Sequence, residues 1–175
     1  MATAATIGVY GWSADTFLAA LREAGVTLIV DVRQRRGVRG PEYSWANARR
    51  LTAMLVAAGI AYDHRKELAP TTQLRQLQYA ADDRAGVGKR SRVDLAFEYV
   101  EGYVHEILDR VDLADLVAEL PANAAAALLC VERDPEACHR SLIAERLEAR
   151  HGIAVSHLRP ADGPPRSARP RAPAR

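Results

Sequence analysis

Residues 26–32 have the sequence VTLIVDV, a continuous run rich in β-branched and apolar side chains, with the charged Asp31 near its end. A strand that is apolar at every position, rather than at alternate ones, suits a sheet that is covered on both faces. Such sheets are mostly parallel, because helices must cross over them to connect successive strands. This stretch therefore predicts a parallel sheet between two layers of helices.

The segments on either side of this run alternate between the strand and the helix pattern. Further strands are predicted at 5–10, 60–64, 124–131 and 153–158, and helices at 13–24, 45–58, 72–83, 92–109, 112–119 and 135–150. The alternation predicts one α/β layered domain over residues 1–160, with a mostly parallel sheet of about five strands and helices on both faces. Residues 161–175, rich in Pro and Arg, are predicted to form a disordered tail.

Composition limits the class of protein. The 175 residues contain two cysteines, too few for a disulfide scaffold, and the net charge is +2. The stretch MATAATIGVYGW lacks the basic start and apolar core of a signal peptide, and the chain has no apolar run of about 20 residues. We therefore expect a cytoplasmic protein that does not enter a membrane.

The strongest functional signal is LLCVERDPEACHR at residues 128–140, where an apolar run ends at a charged loop. Asp134 and Pro135 predict the start of a helix, which would place Cys138 in its first turns near Arg140. Helix starts and nearby cations favour thiolates, so Cys138 is the candidate nucleophile. The candidates for general acid–base roles are His139, Glu132 and, after the third strand, His64.

Both cysteines also have a structural interpretation. Cys138 shares a helical face with Leu142, so it also suits a small buried position, and Cys130 ends an Ala/Leu run that predicts packing in the core.

Polar groups follow the other predicted strands as well. Because the carboxyl ends of parallel strands meet at one edge, these groups are expected to converge on a ligand site there. The candidate substrate-binding residues are Ser13, Asp31, Arg33, Arg36 and Arg140. Arginine suits bidentate binding of phosphate or carboxylate. The alternatives are a solvated basic loop and, for Arg33, an internal ion pair with Asp31.

Known metal and phosphate motifs do not fit this sequence. Seven residues separate Cys130 from Cys138, a spacing that matches no recurrent zinc motif, even if His139, His64 or His157 is added. The sequence therefore predicts no metal site. No arginine lies six positions after either cysteine, which excludes the usual phosphatase loop, and the GVGKR stretch lacks the first glycine of a P-loop.

Several motifs together resemble a bacterial family known as domain of unknown function 488. They are TIGVYGWS, the VDVR strand end, the tyrosine and histidine of AYDHRKEL, and CVERDPEACHRSLIAERL. The resemblance implies a compact α/β domain over roughly residues 6–160, and it implies no reaction. The motif positions correspond here to Ser13, Asp31, Arg33, His64, Glu132, Cys138, His139 and Arg140. The chain departs from the family pattern at Val9–Trp12 and at Leu68–Pro70.

Three functions are compatible with these residues. The first is an enzyme acting on an anionic substrate, a nucleotide or nucleic-acid component, at the Cys-His-Arg corner. The second is a non-catalytic nucleic-acid-binding module that uses the Arg33–Arg39 loop and the tail. The third is a thiol redox protein, which requires the sulfurs of Cys130 and Cys138 to be close. The expected partner is an anionic small molecule or nucleic acid. Cofactor and oligomeric state are not indicated.

Overall fold

The structure is a computed structural model, and it describes residues 2–161. The predicted tail at 161–175 lies, except for its first residue, outside the described residues.

All five strands belong to one sheet and every pair of neighbouring strands is parallel, as predicted. The order across the sheet is β3-β2-β4-β1-β5. The strands are β1 (Thr3–Ile7), β2 (Val26–Asp31), β3 (Ala61–His64), β4 (Ala125–Leu129) and β5 (Val155–Leu158). Since β4 has β1 on one side and β2 on the other, the strand ends with the most chemical functionality are neighbours.

Helices cover both faces of the sheet. On one face, α1 and α2 pack their apolar side chains Phe17, Leu21, Leu51 and Leu55 against Ile7, Ile29 and Leu129. The other face carries the core formed by α3 to α6, with Val30 and Leu128 from the sheet. The helices are α1 (Ala14–Glu23), α2 (Ala48–Ala57), α3 (Thr72–Ala85), α4 (Phe97–Tyr103, continuing as a π turn over Val104–Leu108), α5 (Leu113–Ala118) and α6 (Arg140–His151).

The central strand shows why the fold requires this sequence. All five residues of β4, AAALL, are buried, because strands flank it on both sides and helices cover both faces. Small alanines at its start allow the two helical layers to approach closely, and the leucines near its end fill the core. The β4 sequence therefore fits the most enclosed position in the sheet.

Two predicted helices differ from the structure. The helix predicted over 92–109 begins at Phe97, because Arg92 is extended and the main-chain N–H of Ala96 donates to Gln78 instead. The helix predicted from residue 135 begins at Arg140, since Pro135–Ala137 form a 3₁₀ turn that ends at Cys138. Pro135 therefore starts a short turn, not the helix.

Among residues 2–161, no helix combines the length and apolar character needed to span a membrane.

Candidate functional site

A cavity of about 550 Å³ opens at the carboxyl edge of the sheet, on the face covered by α3, α4 and α6. Most of its lining comes from the loop after β2, helix α3, the segment from Arg90 to Tyr99, and the corner after β4, and Tyr10 adds to it from the loop after β1. The polar and aromatic lining residues are Tyr10, Arg33, Gln34, Arg35, Arg39, Arg75, Gln78, Tyr79, Arg90, Arg92, Tyr99, Cys130, Glu132, Cys138 and His139.

The corner after β4 places both cysteines in this cavity. Cys130 directly follows β4, and Cys138 has extended backbone angles, φ −144° and ψ 141°, between the 3₁₀ turn and α6. Cys138 therefore precedes the first turn of the helix, which corrects its predicted position within that turn. Cys130 and Cys138 are only 5% and 2% exposed, so they belong to the core as well as to the cavity wall.

The imidazole of His139 faces both thiols. Its Nδ1 lies 3.9 Å from Cys130 Sγ and 3.8 Å from Cys138 Sγ. Its Nε2 lies 3.0 Å from the carbonyl oxygen of Val32. Since a carbonyl only accepts, Nε2 carries a proton and donates, and Nδ1 of the neutral ring has its lone pair toward the sulfurs. The ring also packs against Tyr103 at a centroid distance of 5.2 Å.

The three groups change one another's protonation. Burial opposes ionisation of Cys138, but the Cys130 thiol, Arg140 and His139 together hold the pKa of Cys138 well below its usual value. Contact with Cys138, together with burial, raises the pKa of Cys130 well above that of an ordinary thiol. Burial lowers the pKa of His139, but the neighbouring Cys138 outweighs it, so the net shift is upward. These shifts favour ionisation of Cys138 over ionisation of Cys130.

Glu132 lies beside Cys130. Its Oε2 is 3.8 Å from Cys130 Sγ, and its Oε1 is 3.6 Å from Nη1 of Arg92. Arg92 also forms a buried ion pair with Asp82 on α3, and Gln78 donates to the same carboxylate at 2.8 Å. This network fastens α3 and the segment before α4 to the corner.

Asp31 and Arg33 form the internal ion pair that the sequence left as an alternative. Arg33 donates from Nε to Asp31 Oδ1 at 2.9 Å and from Nη2 to Oδ2 at 2.7 Å. Its Nη1 donates to the carbonyl of Ala46 at 2.9 Å, and Tyr62 donates to Asp31 Oδ2 at 2.6 Å. Arg33 lines the cavity, but its guanidinium is committed to these internal acceptors.

Arg140 is fully buried, and its guanidinium is directed into the fold. It donates to the carbonyl oxygens of Glu132 at 2.7 Å and Arg133 at 3.0 Å, and to Thr6 Oγ1 at 3.4 Å. A side chain at Gly8 would lie 1.8 Å from the Glu132 carbonyl, so only glycine allows the corner to pack this closely on β1. Arg140 therefore holds the corner from behind and does not line the cavity. The partners that hold Arg140 are thus neutral oxygens.

Three other candidate residues lie outside the cavity lining. Ser13 caps α1, accepting from the Thr16 N–H at 3.2 Å. Arg36 donates weakly to the Tyr62 hydroxyl at 3.5 Å, and His64 Nε2 bonds the Arg33 carbonyl at 2.9 Å. The expectation that Ser13, Arg33 and Arg140 would share one pocket is therefore wrong, since only Arg33 lines it. Of the residues predicted from sequence, the cavity brings together Glu132, Cys138, His139 and Arg33.

Several cavity residues were not predicted as binding residues. Arg75 donates to the hydroxyl of Tyr79 at 2.8 Å, and Arg90 lies over the ring of Tyr10 at 5.0 Å. Arg90 ends the GVGKR stretch that was discarded as a P-loop, and Arg92 follows it by two residues. The spacing of Arg75 and Tyr79, one helical turn apart, was the sole sequence signal that they share a face.

Comparison with known proteins identifies the family and gives no activity. No curated protein and no solved structure matches the chain. The family model described as domain of unknown function DUF488 matches residues 13–147, well over half of the chain and including both the β2 end and the Cys-His-Arg corner. The chain belongs to the family described as domain of unknown function DUF488.

Proposed function

We propose that this protein is an enzyme that acts on an anionic substrate, a nucleotide or a nucleic-acid component, with Cys138 as its nucleophile. The observation that carries the proposal is the cavity, whose lining contains both the Cys138–His139 pair and several arginines. Neither feature alone would point to an enzyme, since arginines often line solvated loops and buried cysteines often only fill space.

The arginines that line the cavity favour an anionic ligand. Arg35 and Arg39 are exposed at the cavity rim, in contrast to the internally paired Arg33. Guanidinium groups bind phosphate and carboxylate with charge-assisted, often bidentate hydrogen bonds. The rings of Tyr10 and Tyr79 lie in the same lining and offer flat surfaces to a base.

The cysteine–histidine pair supports covalent chemistry. An activated nucleophile needs a base within reach and a third group that orients the base, which here are His139 and the Val32 carbonyl. The sulfur of Cys138 forms a bond to the electrophilic centre of the substrate while the bond to the leaving group breaks with its electron pair. His139 has taken the proton of the Cys138 thiol and gives it to the leaving group. A water molecule then displaces the sulfur and loses its proton to His139, as Cys138 leaves as the thiolate.

Other predicted catalytic residues have lesser roles. Glu132 contacts the Cys130 thiol, and we assign it an assisting role in proton transfer there. His64, bonded to the Arg33 carbonyl, is assigned a structural role. The two free thiols suit a reducing compartment, and we propose the cytoplasm.

The test uses alkylating reagents of different charge. The Cys130→Ser variant retains Cys138 as its one cysteine, and iodoacetate should modify it faster than neutral iodoacetamide, reversing the usual order for a free thiol. Arg35→Ala and Arg39→Ala should each lower this preference by about tenfold, the effect of losing one charge-assisted contact. Arg49→Ala, on the exposed surface of α2, is the matched control.

A nucleoside monophosphate or inorganic phosphate should protect Cys138 from both reagents. If Cys138 reacts no faster with the anionic reagent, or if Arg49→Ala has the same effect as Arg35→Ala, the anionic-substrate proposal fails. Inertness of Cys138 toward both reagents would remove the nucleophile role.

A thiol redox protein is the second candidate, favoured by one distance: the two sulfurs lie within 4.8 Å of each other. Alkylation of the wild-type protein, which has both cysteines, distinguishes this candidate from the enzyme. Mild peroxide should then remove both alkylatable thiols as a disulfide, and a dithiol reductant should restore them. The nucleic-acid-binding alternative stays a prediction, since its tail lies outside the described residues.

A further inference from the structure

We propose that Cys130, Cys138 and His139 bind one thiophilic divalent cation, for which Zn²⁺ is the best fit, through two thiolates and the imidazole Nδ1. The three ligand atoms lie within 4.8 Å of one another, and all three residues are buried. This site does not rest on the proposed function, although the two share the sulfur of Cys138.

The sulfur–nitrogen distances are close to those of a tetrahedral zinc centre. With Zn–S of about 2.3 Å and Zn–N of about 2.05 Å, tetrahedral angles place sulfur about 3.6 Å from nitrogen and the two sulfurs about 3.8 Å apart. The observed sulfur–nitrogen distances are 3.9 and 3.8 Å, and the sulfurs are at most 4.8 Å apart. A disulfide requires the sulfurs to approach to about 2.05 Å, a much larger movement.

The surroundings orient the histidine as a metal ligand. Metal-binding histidines usually donate their second ring N–H to a carbonyl or carboxylate, which fixes the ring and directs the other nitrogen at the metal. The Val32 carbonyl accepts from His139 Nε2 at 3.0 Å, and Tyr103 packs on the ring. Nδ1 is thus directed at both sulfurs before any ion binds.

Charge also favours the cation. Two thiolates and a neutral imidazole around a divalent ion make a centre with no net charge, which suits a buried position better than an isolated thiolate does. Three protein ligands leave the fourth tetrahedral position open, the arrangement of catalytic zinc sites. All three ligands line the cavity, so that position is accessible to water or to an oxygen of an anionic ligand.

The fold explains why sequence spacing argued against a metal. Zinc fingers and knuckles take paired ligands from one tight turn, whereas here Cys130 ends a strand and Cys138 and His139 follow a 3₁₀ turn. The loop of residues 131–137 returns to the strand end, so the protein brings together ligands that seven intervening residues separate.

Metal binding and nucleophilic attack use the same sulfur. A thiolate bound to zinc has its lone pair engaged, so the metal-loaded protein should be inactive in the alkylation assay. Loading is therefore expected to slow the alkylation of both cysteines at least tenfold, and a chelator should reverse the effect.

The experiment uses the full chain, stripped with a chelator and then titrated with Zn²⁺ or Co²⁺. We expect one equivalent of zinc to survive dialysis and Co²⁺ to give the near-ultraviolet charge-transfer band of thiolate ligation. Cys130→Ser, Cys138→Ser and His139→Asn should each weaken zinc binding at least about tenfold, while His157→Asn should leave it unchanged. Circular dichroism of each variant checks folding, and the cobalt band in the wild type does not depend on any variant.

The outcomes separate the two proposals. Failure of the wild type to retain zinc, or equal retention by a folded Cys130→Ser/Cys138→Ser double variant, overturns the metal site and leaves the enzyme proposal standing. Zinc binding by a protein whose metal-free Cys138 resists alkylation supports the metal site and overturns the nucleophile.

Discussion

Two arginines are buried equally deeply at the carboxyl edge of the sheet but are held in opposite ways. Arg33, after β2, pairs with the carboxylate of Asp31, whereas Arg140, after β4, is held by two carbonyls and the hydroxyl of Thr6. Neutral dipoles stabilise a cation without cancelling its charge. Arg140 accordingly contributes to the low pKa of Cys138, against the opposing effect of burial.

The two strand ends differ in whether a nearby carboxylate balances the charge of the buried arginine. The end of β2 is closed by a matched ion pair, so little of its charge is available to a ligand. The corner after β4 keeps a positive field behind a pair of thiols that line a cavity. The lowered pKa of Cys138 therefore occurs where the fold holds a buried charge with neutral partners.

The largest expected effect comes from breaking the matched pair. Asp31→Ala leaves the Arg33 guanidinium buried without its counter-charge, and removing one partner of a buried pair costs about 3–5 kcal/mol. Urea denaturation should show that loss in the free energy of unfolding, with a fall in Tm of roughly 6–20 °C for a domain of this size.

The double variant Asp31→Leu/Arg33→Met is the control for this prediction. It replaces the ion pair with apolar groups, a change that is often neutral for buried pairs, so it should recover most of the lost stability. A single Asp31→Ala loss below about 1 kcal/mol would contradict the view that the pair is needed to neutralise Arg33.

The second effect concerns the arginine held by neutral groups. Arg140→Lys keeps the charge but loses the planar fork that reaches the carbonyls of Glu132 and Arg133 together. We expect a loss of about 2–3 kcal/mol, smaller than for Asp31→Ala because no buried charge is left without its counter-ion. Thermal and urea denaturation measure it. A lysine variant as stable as the wild type would mean that the corner does not depend on bidentate bonding.

Much of the fold followed from local patterns in the sequence. The VTLIVDV run predicted a covered parallel strand, and every strand was located to within a few residues because apolar runs bounded by turn residues are strong local signals. Local signals could not predict the strand order, since the order depends on which helices cross which face of the sheet. The start of α6 was misplaced because burial of Cys138 in the core overrode the preference of Pro135 for a first helical turn.

The candidate site was predictable only in part. The groups that follow β4 were found because they lie together in sequence, and the cavity brings in Glu132, Cys138 and His139. Ser13 was a helix cap, which looks the same in sequence as a ligand-binding serine. Arg75 and Arg90 reach the cavity through tertiary packing of α3 and the segment before α4, which no local pattern encodes.

The smallest expected effect is a pH dependence of stability that comes from His157 on β5. His157 lies beside Thr6, with its Nδ1 2.8 Å from the hydroxyl that also accepts from Arg140. Burial, followed by the positive charges of Arg140 and Arg159, lowers the pKa of His157. Protonating it thus costs more in the folded protein than in the unfolded chain, whose histidine pKa is near 6.5.

Neutral His157 therefore contributes its full share of the free energy of unfolding above about pH 6.5. That share is lost as pH falls through the lower folded pKa of His157. His157→Asn should flatten this part of the pH dependence relative to the wild type, whereas His105→Asn, on an 83% exposed side chain, should retain it. The measurement is the free energy of unfolding of each protein between pH 7 and pH 5. Because His157 is an exposed residue and solvent screens its interactions, the difference should be the smallest of those predicted. Arg140→Lys keeps the positive charge and should preserve the pH dependence of the free energy of unfolding. A flat pH profile in that variant would show that the neutral contacts of Arg140, and not its charge, lower the pKa of His157.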